Sequence, residues 1–392
     1  MSTWRKHKLS QVTTIISGGT PKSGVSEYWG NDVRWITPKD MGQLTSKYVS
    51  DTGRRISKLG LDKSSAKLIA SNSVILSTRA PIGHLAINTE PMSTNQGCRG
   101  LTPTSDLHTK YLYYFLQGSV DLLNELGTGT TFKELSKTAL EGVEIPLPPI
   151  PEQQRIVAIL DQAFADIEKA RANAEKNLKN ARELFDSYLN QVFSQRGEGW
   201  VEKSLDEIVE EGCSLSYGIV QPGDDFPNGL PVVRPTDLKS KIIHVEGLKL
   251  INPELATGYR RTTLEGGELL LCVRGSTGVI SIASQELSGA NVTRGIVPIR
   301  FNKFIIMQTF GYYQFISEII QKQVRAHTYG AALMQINIRD LRKLTFVIPP
   351  VSFQSAAIPE LDDMARNLAR LETVYLQKTA SLDELKKSLL QK

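Results

Sequence analysis

The sequence predicts an α+β chain: two small-sheet globular units separated by an antiparallel two-helix coiled coil, the whole a pseudo-two-fold tandem repeat. Three observations predict it. Ile145-Pro146-Leu147-Pro148-Pro149 returns 201 positions later as Phe346-Val347-Ile348-Pro349-Pro350, and the match runs on from Leu160-Asp161 to Leu361-Asp362. Each Pro-Pro pair opens into a long run with helical periodicity. Ahead of each run lie short β-prone segments set among Gly, Thr, Ser and Pro.

The repeat divides the chain into 1–150, 151–196, 197–350 and 351–392. In the first globular segment, Val33–Ile36, Ser73–Leu76 and Leu85–Ile87 read as strands and Thr109–Gln117 as a helix. From 151 the pattern is helical: Ile156, Leu160, Ala163, Ile167, Ala170, Ala174, Leu178, Ala181, Phe185, Tyr188 and Val192 recur at steps of three and four, near heptad spacing with a stutter. No Gly or Pro interrupts this run before Gly197. At 1.5 Å per residue it is a rod of roughly 60 Å. The third segment repeats the first, with strands at Pro231–Val233, Leu269–Val273, Ile280–Ala283 and Gly295–Ile299 and a helix expected over Ile305–Gln323. The last places Ile358, Leu361, Ala365, Leu368, Leu371, Tyr375, Thr379, Leu382, Leu385 and Leu389 on one stripe. A lone rod cannot hide such a stripe, so the two rods are expected to pack together. Other correspondences include Trp4 with Trp200, Asp40-Met41 with Asp237-Leu238, and Arg79 and Gly83 with Arg274 and Gly278.

Composition narrows the class. With 40% hydrophobic and 22% charged residues over 392 positions, the balance is that of globular domains with sizeable cores. No apolar stretch is long enough for a signal peptide or membrane span, so a cytoplasmic chain is expected. The three cysteines, Cys98, Cys213 and Cys272, lack metal or disulfide spacing and read as small buried hydrophobes. The net charge of +5 resides in residues 1–150, with 17 basic against 12 acidic residues, while the other three segments balance. That excess is weak evidence for nucleic-acid binding by itself.

A family resemblance rests on specific residues. Gly18-Gly19-Thr20-Pro21-Lys22, Glu27-Tyr28-Trp29-Gly30, the run Val33–Asp40, Asn95-Gln96-Gly97 and the run Pro146–Ile156 resemble the specificity (S) subunit of type I restriction–modification enzymes, the HsdS-like proteins. The runs Tyr217–Gly223, Val233–Leu238 and Leu271–Gly278 repeat the scheme, so the resemblance covers essentially the whole chain. One departure is visible: Pro151-Glu152-Gln153-Gln154 becomes Ser352-Phe353-Gln354-Ser355. The resemblance implies a non-catalytic, host-defence protein with two target-recognition domains, each reading one half of a split double-stranded DNA site. It implies that the rods act as a ruler for the unread spacer. Partners would be two methyltransferase (M) subunits, which hold S-adenosylmethionine and dock on the rods, and motor-nuclease restriction (R) subunits; no cofactor is expected on this chain. Two readers on one face of B-DNA meet the major groove about 34 Å apart, a span that the rod accommodates.

The residue chemistry suggests which side chains would read. Arg79 and Arg274 follow a strand and precede a glycine turn, where a guanidinium reaches guanine O6 and N7 or a phosphate. Asn95, Gln96 and Arg99, with Asn291, Thr293 and Arg294 opposite, include the amide pairs suited to adenine. Lys22, Lys39, Tyr217 and Gln221, with Arg234 and Ser276 in the quoted second-half runs, lie in Gly- or Pro-bounded loops. Thr130 belongs to the polar loop Gly127–Thr131, whose sister is Thr328–Ala332, and such loops hold phosphate through backbone amides and hydroxyls. For each there is a bland alternative: a strand-end Arg pairs with a carboxylate such as Asp40 or Asp237, and an Asn-Gln-Gly turn caps its own backbone. Trp29, Trp35, Tyr113 and Tyr114 read as core rather than as base-stacking residues.

The motifs of catalysis are missing from the sequence. The two Pro-Pro pairs lack the Asn or Asp and the aromatic of a methyltransferase loop, and no carboxylate pair has nuclease spacing. Gly18–Ser23 breaks the phosphate-loop order at Pro21. The five histidines show no metal spacing. A second reading, a non-catalytic coiled-coil scaffold with two protein-binding heads, fits the same periodicity.

Overall fold

The computed structural model describes residues 4–129, 133–331 and 333–391, the side chain of Gln391 excepted. The chain forms two compact units, Met1–Ala174 with Gln377–Lys392 and Glu175–Leu376. Both long helices, Ile150–Ser194 and Val351–Gln391, therefore contribute to both units.

In the first unit, five strands pair in the order Thr13–Ser17, Cys98–Pro103, Ser73–Thr78, Ile82–Asn88, Tyr48–Val49. The first four run antiparallel, and only the edge strand Tyr48–Val49 is parallel to its neighbour. Side chains of a strand alternate between faces. Accordingly Val74 and Leu76 enter the core built with Tyr111, Leu112 and Leu116 of helix Thr109–Gly118, while Ile75 joins Ile36, Met41, Ala86 and Cys98 on the other side. Both faces are covered, which is why Ser73–Thr78 is buried throughout. Three strands, Arg54–Ile56, Trp29–Ile36 and Ser93–Thr94, form a second small sheet. Lys6–Lys8 pairs with Glu144–Pro146 just before the first long helix.

The second unit repeats the plan with one strand fewer. Ile242–Ile243, Ile280–Ala283, Leu269–Cys272 and Ile296–Ile299 form its main sheet. Leu269 and Leu271 face one core and Leu270 and Cys272 the other. Lys249–Ile251, Leu230–Val233 and Asn291–Val292 form the lesser sheet, and Val201–Ser204 pairs with Thr345–Ile348. The single helix expected over Ile305–Gln323 is two helices, Gln308–Ile316 and Glu318–Ala326. Ser317 between them adopts an extended conformation (φ −67°, ψ 150°) and donates its hydroxyl to Gln314 O at 2.6 Å. Apolar periodicity does not register a break made by one small buried residue.

Within each unit the segments of the two rods pack antiparallel. In the first, Lys386 reaches Glu168 at 2.8 Å and Arg171 reaches Asp383 at 3.2 Å, so advance along one helix is retreat along the other. In the second, Arg182 meets Glu372 at 2.8 Å and Tyr188 donates to Glu360 at 2.6 Å. Every seam position of the first rod is buried or half-buried. The second rod differs, for Leu371 and Leu385 are 39% and 46% exposed.

Two joints repeat where sheet meets rod. Gln153, fully buried, accepts from His108 N at 2.8 Å and donates to Asp106 O and Pro148 O, both at 2.8 Å. Gln354, equally buried, accepts from Met307 N at 2.8 Å and donates to Ile305 O and Pro349 O, both at 2.9 Å. Further along, Asp161 receives Lys47 at 2.5 Å, Lys110 at 2.8 Å and the hydroxyl of Tyr114. Asp362 receives Lys241 and Tyr313, each at 2.5 Å.

The Asp161 joint predicts an acid response. Burial alone pushes its carboxyl up, but hydrogen bonds from Lys110, Lys47 and Tyr114 outweigh that and hold it down at about 2. A depressed carboxylate contributes stability that is complete above its unfolded value near pH 4 and fades as pH falls toward 2. Discounted for partial solvent screening, the contribution is about 1–2 kcal/mol. Urea unfolding at pH 6 and pH 3 is expected to show that loss in the native chain and a smaller one in Asp161→Asn. Equal acid sensitivity in both would contradict the assignment.

Candidate nucleic-acid interface

In the first unit, four elements converge, two leaving strands of the five-stranded sheet and two leaving strands of the three-stranded one. The chain leaves strand Thr13–Ser17 through Gly18-Gly19, whose amides bond to Cys98 O at 3.1 Å and Thr94 O at 2.9 Å. A Cβ on Gly18 would lie 2.0 Å from Asn95 O, so only glycine permits this approach. The Thr94–Gly97 turn then abuts both remaining elements, since a Cβ on Gly97 would sit 3.1 Å from Pro38 Cγ and 3.2 Å from Arg79 Cγ. Pro38 opens the short helix Pro38–Met41, capped by Thr37, whose amide and hydroxyl donate to Asp40 Oδ2 at 2.9 and 2.7 Å. Arg79 follows strand Ser73–Thr78.

The predicted residues separate on this platform. Lys22 and Lys39 are exposed. Gln96 is exposed and accepts from the hydroxyl of Thr20. Asn95 accepts from Gly97 N at 2.9 Å, capping its own turn, with its side chain part-exposed. Arg79 is part-exposed and lies 3.6 Å from Glu134. Arg99 does not fit the expectation. It is 8% exposed, donates to Ser17 Oγ at 2.6 Å and Leu135 O at 3.3 Å, and belongs to the interior. Thr130 lies outside the described residues.

The second unit builds the same platform with other side chains. Gly218 takes the place of Gly18, and a Cβ there would meet Val292 O at 2.0 Å. Gly295 takes that of Gly97, with Pro235 Cγ 2.6 Å from its virtual Cβ. Between these elements lies a cleft of about 650 Å³ whose wall includes Gln221, Arg234, Arg274 and Arg294. Arg234 is committed to Asp237 by two contacts, at 2.9 and 3.1 Å. Arg294 is exposed. Arg274 is part-exposed, has no ion pair among the described residues, and keeps its Nε buried without a hydrogen-bond partner. Tyr217 and Ser276 are exposed beside the cleft elements but are not part of its wall. Asn291 and Thr293 are corrections. Asn291 is fully buried, accepting from Thr262 Oγ1 and Val292 N at 2.8 Å and donating to Tyr259 O at 3.1 Å. Thr293 is 9% exposed and its hydroxyl is spent on Val233 O at 3.4 Å.

The sequence misplaced the carboxylate partners. Asp40 caps a helix and Asp237 holds Arg234, whereas Arg79 meets Glu134, a residue not singled out. Of the cysteines, Cys98 and Cys272 are buried and Cys213 half-buried; burial pushes the Cys98 thiol up to about 12. Histidine spacing likewise did not foretell that His244, Glu246 and Glu286 come together on the surface, because Glu286 arrives from a separate turn. Exposed acidic groups of this kind are common without an ion. Among the described residues no helix is long and apolar enough to cross a membrane.

Comparison with known proteins matches residues 1–176 to the type I restriction modification DNA specificity domain. The chain is 27% identical to the MjaIX type I restriction enzyme specificity subunit of Methanocaldococcus jannaschii, over 97% of this chain and 92% of that one. It is 23% identical to the EcoBI specificity subunit of Escherichia coli, over 77% and 69%. Its fold is similar to a chain solved in work on complex assembly and conformational transition of a type I restriction–modification system, with TM-score 0.75, 18% identity, and 99% and 96% of the chains covered. It is also similar to the HsdS subunit of Thermoanaerobacter tengcongensis, with TM-score 0.61, 18% identity, and 99% and 95% covered.

Proposed function

Because the chain belongs to the specificity subunits of type I restriction–modification systems, we propose that each of its two units reads one half of a bipartite DNA site. The supporting observation is a shared platform carrying different side chains. Gly18 and Gly218, Pro38 and Pro235, and Arg79 and Arg274 hold equivalent places, whereas Gln96 is replaced by Arg294 and Lys39 by Thr236. A constant frame with a variable face suits two readers of unlike half-sites.

On this reading, segments 1–150 and 197–350 are the recognition domains and 151–196 and 351–392 the conserved helices. Lys22, Lys39, Arg79, Asn95, Gln96, Tyr217, Gln221, Arg234, Arg274, Ser276 and Arg294 remain candidates for DNA contact. Thr130 remains one as a residue of the polar loop. Arg99, Asn291 and Thr293 serve the fold. Lysines supply point charges for phosphates, and the arginine forks match guanine as well. The chain itself is non-catalytic: S-adenosylmethionine and methyl transfer belong to two methyltransferase subunits docked on the helices, and motor-nuclease subunits complete a cytoplasmic complex.

Methylome sequencing of cells expressing the chain with its methyltransferase partner tests this. One bipartite motif is expected. Methylation without a split motif, or none, would favour the protein-binding scaffold. In the same assay, four residues inserted at the middle of helix Ile150–Ser194 add roughly 6 Å and are expected to change the spacer while both half-sites stay the same. Altered half-sites with an unchanged spacer would refute the ruler role.

A further inference from the structure

The two platforms differ at one residue that touches the arginine of each. In the first unit, Glu134 forms a β-bridge with Arg79 and another with Thr128, and Leu135 N bonds to Thr78 O at 2.9 Å. In the second, Gln335 forms a β-bridge with Arg274 and another with Tyr329, and Ile336 N bonds to Val273 O at 3.0 Å. The backbone frame is the same, so residues 134 and 335 are structural equivalents. Their side chains are not. Glu134 brings a carboxylate within 3.6 Å of the Arg79 guanidinium, while Gln335 is neutral and leaves Arg274 without an ion pair among the described residues.

Resting on the reading that both units bind DNA, we infer that this position sets how much of its unit's arginine is available to the duplex, and so how tightly that unit holds DNA of any sequence. Where Glu134 stands, a phosphate must displace a carboxylate of the same sign, and the carboxylate itself is repelled by the DNA backbone. Where Gln335 stands, the guanidinium is open to any phosphate and, at the correct site, to a base edge. The second unit therefore takes a sequence-independent grip through Arg274 that Arg79 does not give the first.

A second substitution accompanies the first. Arg99 occupies the place that Val297 fills in the second unit, as Gly97 aligns with Gly295. Burial pushes the Arg99 guanidinium's pKa down, and the charge of Glu134 works against that. Glu134 thus balances two arginines, and its removal disturbs the interior as well as the surface. Gln335→Glu is the cleaner variant, because Val297 stands where Arg99 does and the new carboxylate has no equivalent buried arginine to balance.

The test uses the assembled methyltransferase complex and two duplexes, one carrying the bipartite motif and one lacking both halves, titrated from low to moderate salt. Gln335→Glu is expected to weaken binding of the motif-free duplex roughly fivefold at 0.15 M salt and to flatten the slope of log K against log salt by about one, the effect of a single lost phosphate contact. Glu134→Gln is expected to strengthen that binding by a similar factor and to steepen the slope, provided its thermal midpoint shows that it folds; otherwise Gln335→Glu decides. Unchanged affinity and slope for Gln335→Glu would overturn the inference, as would a loss confined to the motif-bearing duplex. A native complex with no preference for its motif would instead overturn the DNA-reading function itself.

Discussion

Gln153→Ala is expected to cost about 3 kcal/mol of stability. The side chain is fully buried and makes three hydrogen bonds to backbone groups. Alanine leaves the His108 amide and the Asp106 and Pro148 carbonyls without those partners, and a buried unsatisfied group costs about 1–3 kcal/mol. Partial entry of water keeps the sum below the maximum. Gln354→Ala is expected to behave alike in the second unit, since its three bonds are the same in kind. Urea unfolding followed by probes placed in each unit checks this, because a two-unit chain need not unfold in one step. A loss under 1 kcal/mol for both variants would show that the glutamines are not structural joints.

Arg274→Ala is expected to relax reading of one half-site ten- to a hundredfold, or about 1–3 kcal/mol, the range for losing a bidentate base contact. Arg274 forms part of the wall of the second unit's cleft and has no ion pair among the described residues, so its removal leaves no carboxylate stranded. Competition binding with duplexes altered in one half at a time measures the effect. Equal loss at both halves would point to a general defect. Arg79→Ala supplies a contrast: Glu134 already engages Arg79, so this variant is expected to change first-unit reading by a smaller factor.

The large elements were legible because their signals are periodic. Seams at three- and four-residue steps gave both rods, and strands such as Leu269–Cys272 stood out because they are buried on both faces and so apolar at every position. The break at Ser317 carries no such signal. The candidate site was legible in part. The repeat set Arg79 opposite Arg274, and the structure gives those two arginines equivalent bridges, to Glu134 and Gln335. Burial was not legible: Asn95 and Asn291 look alike as isolated letters, yet one sits on a part-exposed turn and the other is enclosed by Thr262, Tyr259 and Val292. Glu134 escaped notice because its meaning comes from a bridge across 55 positions, from residue 79 to residue 134. The departure of Ser352-Phe353-Gln354-Ser355 from Pro151-Glu152-Gln153-Gln154 also looked larger than it is. The one letter kept in register is the one that makes the joint.

That constancy bears on how such a chain can change its lineage of targets. Since Gln153 and Gln354 grip only main-chain atoms, the fastening is indifferent to which side chains surround it. On the proposed reading, a genetic crossover falling within either Pro-Pro junction delivers a foreign head to a socket that already fits, so new pairings of half-sites can arise by reshuffling whole heads while the two glutamine joints stay as they are.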